Sequence, residues 1–157
     1  MKAVIFSICI LVIGGIHQVY GQSLTVQQKL IIEKQVDSAF HEMIKLAETI
    51  DYDKLNQGVT DKYNAGFIVN SNYYSRFDSL VNTLKVQSQG LLKQSITLQK
   101  EKITLLSDKI ALITAFGETK VDVTSGNTFY IKFFWSFVYE KESDRWKVIQ
   151  SHQSSLR

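Results

Sequence analysis

The sequence predicts an α+β domain in which a long N-terminal helix packs on a strongly curved antiparallel sheet to form a cone. Three observations carry the prediction. Helical periodicity occupies the first half of the chain and strict alternation the second, so helices and neighbouring strands fall in separate runs. The last two strands are joined by a short charged turn and form a long hairpin. The earlier of them, residues 128–140, is apolar on both faces: Phe129, Ile131, Phe133, Trp135, Phe137 and Tyr139 alternate with Tyr130, Lys132, Phe134, Ser136 and Val138. One face belongs to a core. The other needs cover of its own, because contiguous exposed apolar surface marks an interface, and a two-fold dimer through the sheets is the simplest cover.

Residues 1–21 read as an export signal: Lys2 supplies the positive start, an apolar run follows over residues 3–16, and Val19-Tyr20-Gly21 precedes the cut. The run is shorter than the ~20 apolar residues of a membrane span. Cleavage is therefore expected rather than anchoring, leaving a single domain at residues 22–157 that is exported to a periplasm or secreted. Cys9, the sole cysteine, lies inside the signal, so the mature domain would carry no thiol for catalysis, disulfides or metal binding. Proline is absent from the whole chain, which excludes a proline-rich stalk. A formal charge of +3, with lysines dispersed among acids, is no footprint for nucleic acid.

In the mature domain, Thr25 and Gln28 have the spacing of a capping box. Behind them Ile32, Val36, Phe40, Met43, Ala47 and Ile50 recur at steps of three and four, one stripe along about seven turns of helix. Asp51-Tyr52-Asp53 ends it, and one further turn precedes Gly58. Residues 63–69 form a short strand closed by Asn70-Ser71-Asn72. Ser75 and Asp78 repeat the cap spacing before a second amphipathic helix through Phe77, Leu80, Val81 and Leu84, ending before Gly90. Alternation then begins at Ser95 and loses phase near Lys100-Glu101, where a bulge is expected. Further strands are expected at residues 109–121, 128–140 and 145–154.

The segments Leu106-Ser107-Asp108-Lys109-Ile110-Ala111-Leu112-Ile113-Thr114, Phe137-Val138-Tyr139-Glu140-Lys141 and Trp146-Lys147-Val148-Ile149 with His152-Gln153-Ser154 occur in this order and spacing. Together they resemble the nuclear transport factor 2-like superfamily, in particular its SnoaL-like and calcium/calmodulin-dependent kinase association-domain branches. The resemblance covers residues 25–155. It implies the cone fold and a pocket inside it, but no single function, since the superfamily mixes ketosteroid isomerase, scytalone dehydratase, limonene epoxide hydrolase and polyketide cyclases with non-catalytic binding and assembly domains. Its catalytic members place Asp, His, Tyr or Arg groups inside the cone. The kinase association domains place arginines there; this chain has Ser136 at one such position, so an anion pocket of that kind is not implied.

Among the polar residues on these elements, Tyr63, Tyr130, Lys132, Ser136, Gln150 and His152 are the candidate ligand-binding set. His152 shares a strand face with Trp146, Val148 and Gln150 in unbroken alternation, and an imidazole can serve as acid or base near neutral pH. Its alternative role is to hydrogen-bond across the sheet. Asp61, with Tyr63 beside it, is the one acid considered for isomerase or lyase chemistry, and otherwise a solvated loop residue. His41 reads as a boundary histidine, and no His-x-x-x-His pair, phosphate loop, nucleophile elbow or dinucleotide fingerprint is present; no metal or cofactor is expected. The sequence therefore predicts an exported, dimeric domain that binds a small apolar molecule or a partner without a catalytic set, with no role for nucleic acid or membrane. The alternative is an isomerase or lyase using His152 or Asp61 as base.

Overall fold

The computed structural model describes residues 24–156. The export signal expected at residues 1–21 lies outside them. Among the described residues nine elements follow in chain order: α1 (Val26–Glu48), α2 (Tyr52–Gln57), β1 (Phe67–Val69), β2 (Asn72–Tyr74), α3 (Phe77–Gln87), β3 (Leu91–Leu105), β4 (Ile110–Val123), β5 (Thr128–Glu142) and β6 (Arg145–Leu156). The strands form one open sheet in the order β2-β1-β6-β5-β4-β3. The sheet is mixed where an antiparallel one was expected: β1 runs parallel to β6, with Phe67 opposite Ser151 and Val69 opposite Gln153. No hairpin links these two strands, which are far apart in the chain, so nothing forces them antiparallel.

Helix α1 begins at the expected capping box, Gln28 N–H donating to Thr25 Oγ1 at 3.2 Å and Thr25 N–H to Gln28 Oε1 at 2.9 Å. Its buried line runs through Ile32, Val36, Phe40 and Ile44, so steps of four persist and Ile44 takes the place expected for Met43, which is half-buried. This line faces the concave side of the sheet, where Ala111, Ile113, Phe137, Tyr139, Trp146 and Val148 complete the core. Phe40 meets Phe137 with ring centroids 5.7 Å apart.

Helix α3 starts differently from the expected Ser75 cap. Arg76 is the N-cap residue and makes no side-chain cap bond. The Phe77 N–H donates instead to both carboxylate oxygens of Asp61, at 3.2 Å each, so a residue sixteen positions upstream caps the helix. The bulge expected near Lys100-Glu101 is present as a register shift between Leu98 and Lys100 on β3, opposite Gly117 and Phe116 of β4. A further shift, between Val138 and Tyr139 on β5, leaves Ile149 of β6 without a partner.

Candidate functional site

A cavity of about 650 Å³ lies between the three helices and the concave face of the sheet. The C-terminal half of α1 contributes Met43, Ile44 and Ala47, α2 contributes Tyr52 and Leu55, and α3 contributes Phe77, Leu80 and Leu84. The inward residues of β5, Phe129, Ile131, Phe133, Trp135 and Phe137, form the aromatic wall. Phe133 and Trp135 stack 3.8 Å apart at 19°, and Trp135 meets Phe137 edge-on at 6.0 Å. Alternation explains this wall: residues two apart on a strand share a face.

The polar part of the lining is neutral. β6 adds Ser151, Gln153 and Ser155, β3 adds Gln94, and β4 adds Thr119. Ser151 is completely buried, and its hydroxyl oxygen accepts the Gln153 Nε2–H at 3.2 Å. The hydroxyl hydrogen of Ser151 has no acceptor among the described residues, so it remains available to a ligand atom. Among the described residues, no aspartate, glutamate, histidine, lysine, arginine or cysteine lines the cavity.

The candidate residues read from the sequence are distributed as follows. Tyr130 borders the cavity and is largely exposed. Ser136 pairs with Thr114 on one side and His152 on the other, and the exposed His152 also lies opposite Ile68. Lys132 and Gln150 share that outer face, opposite Glu118 and Val138. The Tyr63 hydroxyl donates to Glu140 Oε1 at 2.9 Å from an exposed loop. Asp61 is engaged as the α3 cap, with the Arg76 guanidinium 4.0 Å away. The structure therefore brings Ser136 and His152 together, but outside the cavity, and His152 and Asp61 do not meet.

The parity of β6 explains why Ser151 and Gln153 escaped sequence reading. Trp146 and Val148 are buried, and uninterrupted alternation would turn Gln150 and His152 inward with them. The extra residue at Ile149 shifts the phase by one, so Ser151 and Gln153 face the cavity and His152 faces out. Neither glycine nor proline marks this bulge. The structure fixes the parity through β5, whose inward Phe137 pairs with Ser151.

Charged groups cluster elsewhere. Lys62 bridges to Glu140 at 2.6 Å and holds its carboxyl below the usual carboxylate range, with the Tyr63 hydroxyl assisting. On the side of α1 that meets β3, burial raises the Glu101 carboxyl, and the neighbouring Asp37 adds to the effect. Burial also pushes the Tyr139 phenol far up; among the described residues its hydroxyl donates only to Met43 Sδ, at 3.6 Å.

A helix-capped, curved sheet enclosing an uncharged aromatic cavity defines an α+β cone of the nuclear transport factor 2-like type. The SnoaL-like domain family model matches residues 36–157, and the chain belongs to that family. No curated protein sequence matches the chain. Solved structures agree with the fold. A proposed scytalone dehydratase from Novosphingobium aromaticivorans is similar with a TM-score of 0.72 at 12% identity, over 85% of this chain and 89% of that one. A proposed dehydratase of the NTF2-like family from Streptomyces avermitilis gives 0.71 at 14% identity, over 81% and 98%. The CaMKII hub homology domain of a Chlamydomonas reinhardtii protein gives 0.67 at 15%, over 80% and 98%.

Proposed function

We propose that this chain is an exported binding protein for a small, neutral, mainly apolar molecule and performs no acid–base chemistry on it. The observation that carries the reading is that, among the described residues, no carboxylate, imidazole, ammonium, guanidinium or thiol lines the 650 Å³ cavity. An ionised ligand entering it would lose its hydration without gaining a counter-charge, a cost of several kcal/mol. A neutral ligand would bury its apolar body against Phe133, Trp135 and Phe137 and spend one acceptor on the Ser151 hydroxyl. The volume suits a drug-sized molecule. The isomerase or lyase alternative has less support: a general base must reach the proton it abstracts, and neither His152 nor Asp61 lines the cavity.

The same reading includes export, with cleavage after Gly21, and pairing of two copies through their outer sheet faces. The exposed Phe116–Phe134 stack, with Tyr130 beside it in the strand, supports that pairing. The likeness to a hub domain is consistent with assembly.

Titration with the neutral probe N-phenyl-1-naphthylamine tests the reading, followed through probe emission and Trp135 quenching. Saturable binding is expected, weakened about tenfold or more by Ala47→Trp, while the anionic analogue carrying a sulfonate binds far less. Equal binding of both probes, or binding indifferent to Ala47→Trp, would overturn the proposal. Native mass spectrometry of the protein from an exporting host then reads the natural ligand and the dimer together.

A further inference from the structure

A second cluster lies outside the cavity, where α1 crosses β3. Asp37 and His41 are one helical turn apart on α1, and Glu101 reaches them from β3 just past the Leu98/Lys100 bulge. Bulges re-aim side chains, and this one brings a carboxylate onto the helix-facing side of a strand whose neighbours there, Leu98 and Ile103, pack on the core. One donor atom from each residue lies within 4.8 Å of the other two. His41 Nε2 stands 3.7 Å from Glu101 Oε2, and Nδ1 stands 3.5 Å from Asp37 Oδ1.

His41 Nδ1 is 3.1 Å from the Asp37 carbonyl oxygen, so the tautomer that donates there turns the Nε2 lone pair toward Glu101. Glu101 Oε2 has less than 1 Å² of accessible surface and accepts no hydrogen bond. Among the described residues neither carboxylate has a lysine or arginine nitrogen within 4.0 Å. Two carboxylates and an imidazole thus converge, with one carboxylate oxygen sealed from water. From these positions we infer that Asp37, His41 and Glu101 form a divalent transition-metal site that fastens α1 to β3. One nitrogen and two oxygens suit a borderline ion such as Zn²⁺, whereas a hard ion such as Mg²⁺ or Ca²⁺ takes oxygen alone. A tetrahedral zinc with bonds near 2.1 Å keeps its ligand atoms about 3.4 Å apart, close to the 3.7 Å between His41 Nε2 and Glu101 Oε2, and Asp37, which lies beside Nδ1, turns its carboxylate toward Nε2 to complete the set. The donation from Nδ1–H to a backbone carbonyl is the outer-shell bond that orients a ligating imidazole. Spacing alone does not expose the site, because Glu101 joins from a distant strand.

Zn²⁺ titrated calorimetrically into the chelator-stripped mature chain, with native mass spectrometry of the product, tests the assignment. One zinc per chain is expected, with a raised melting temperature. His41→Ala and Glu101→Gln should each weaken binding about tenfold or more and abolish the thermal gain, while His152→Ala retains both. His41 is half-exposed, so its variant folds even if Glu101→Gln does not. No uptake at 1:1, or uptake of equal strength in His41→Ala, would overturn the site.

Discussion

Gly117→Ala probes the curvature that makes the cone. Gly117 sits buried in the middle of β4, opposite Leu98, where the β3 bulge brings the two backbones together. A Cβ there would overlap the Thr97 carbonyl oxygen and stand 2.8 Å from Phe133 Cζ. The Phe133 ring can tilt, but the carbonyl belongs to backbone, so β3 must retreat on the order of 1 Å to restore van der Waals contact. Overpacking of this kind costs about 1–3 kcal/mol, and a ladder hydrogen bond lost in the retreat adds about 1. The expected destabilisation is therefore about 2–4 kcal/mol. At roughly 4 °C per kcal/mol for a domain of this size, melting followed by circular dichroism should fall by about 8–16 °C. Gly58→Ala is the control: its Cβ would meet only the Leu55 carbonyl, at 3.4 Å, and its melting temperature should stay within about 3 °C. A Gly117→Ala protein melting within 2 °C of wild type would refute the role assigned to the close approach.

Three further outcomes follow from single contacts. Asp61→Ala removes the remote cap of α3 and should cost about 1 kcal/mol, read by chemical denaturation, whereas Asp61→Asn should recover part of it; equal loss in both would disprove capping. The Glu140 carboxyl is held below its ordinary value of 4.5, first by the Lys62 ammonium. A depressed native value means the unfolded chain binds more protons, so this stabilisation is present above pH 4.5 and lost as pH falls through the native value. Glu140→Gln should therefore melt below wild type at pH 7 by no more than about 1 kcal/mol, and the gap should close in acid; a gap independent of pH contradicts the pairing. Tyr139→Phe loses only a contact to a thioether, a weak acceptor, and should shift stability by less than about 1 kcal/mol; a larger loss in the denaturation midpoint would show that the hydroxyl has a stronger partner.

Much of the fold was legible because its signals are local. The Thr25–Gln28 box, the stripe through Val36 and Phe40, and the alternation of β4 and β5 each depend on residues a few positions apart. The β3 bulge was legible too, since the apolar pattern itself slips there. What escaped was set by distant partners. β2 pairs Tyr73 with Ile68 where the sequence shows only a turn-prone run. Asp61 caps a helix across an intervening hairpin, and Glu101 meets Asp37 through the crossing of α1 over β3. Nor does the alternation of β5 say which of its two apolar faces turns inward, a choice made by the packing of Phe137 and Tyr139 under α1.

That choice decides the chemistry of the cavity. With Phe133, Trp135 and Phe137 inward, Lys132 and Ser136 must be outward, and with Ile149 bulged, His152 follows them. No rotamer change returns His152 to the interior, because the strand backbone stands between the two faces. From β5 or β6, an acid or base could enter this cone only at positions of the other parity. Ser151 is the position best placed, fully buried and paired with Phe137 at the aromatic wall. Ser151→His should give an imidazole that burial keeps neutral, titrating below the ordinary histidine range by NMR. If the new imidazole instead titrated in the ordinary histidine range, the parity of β6 would be the reverse of that described, and with it the assignment of the neutral cavity.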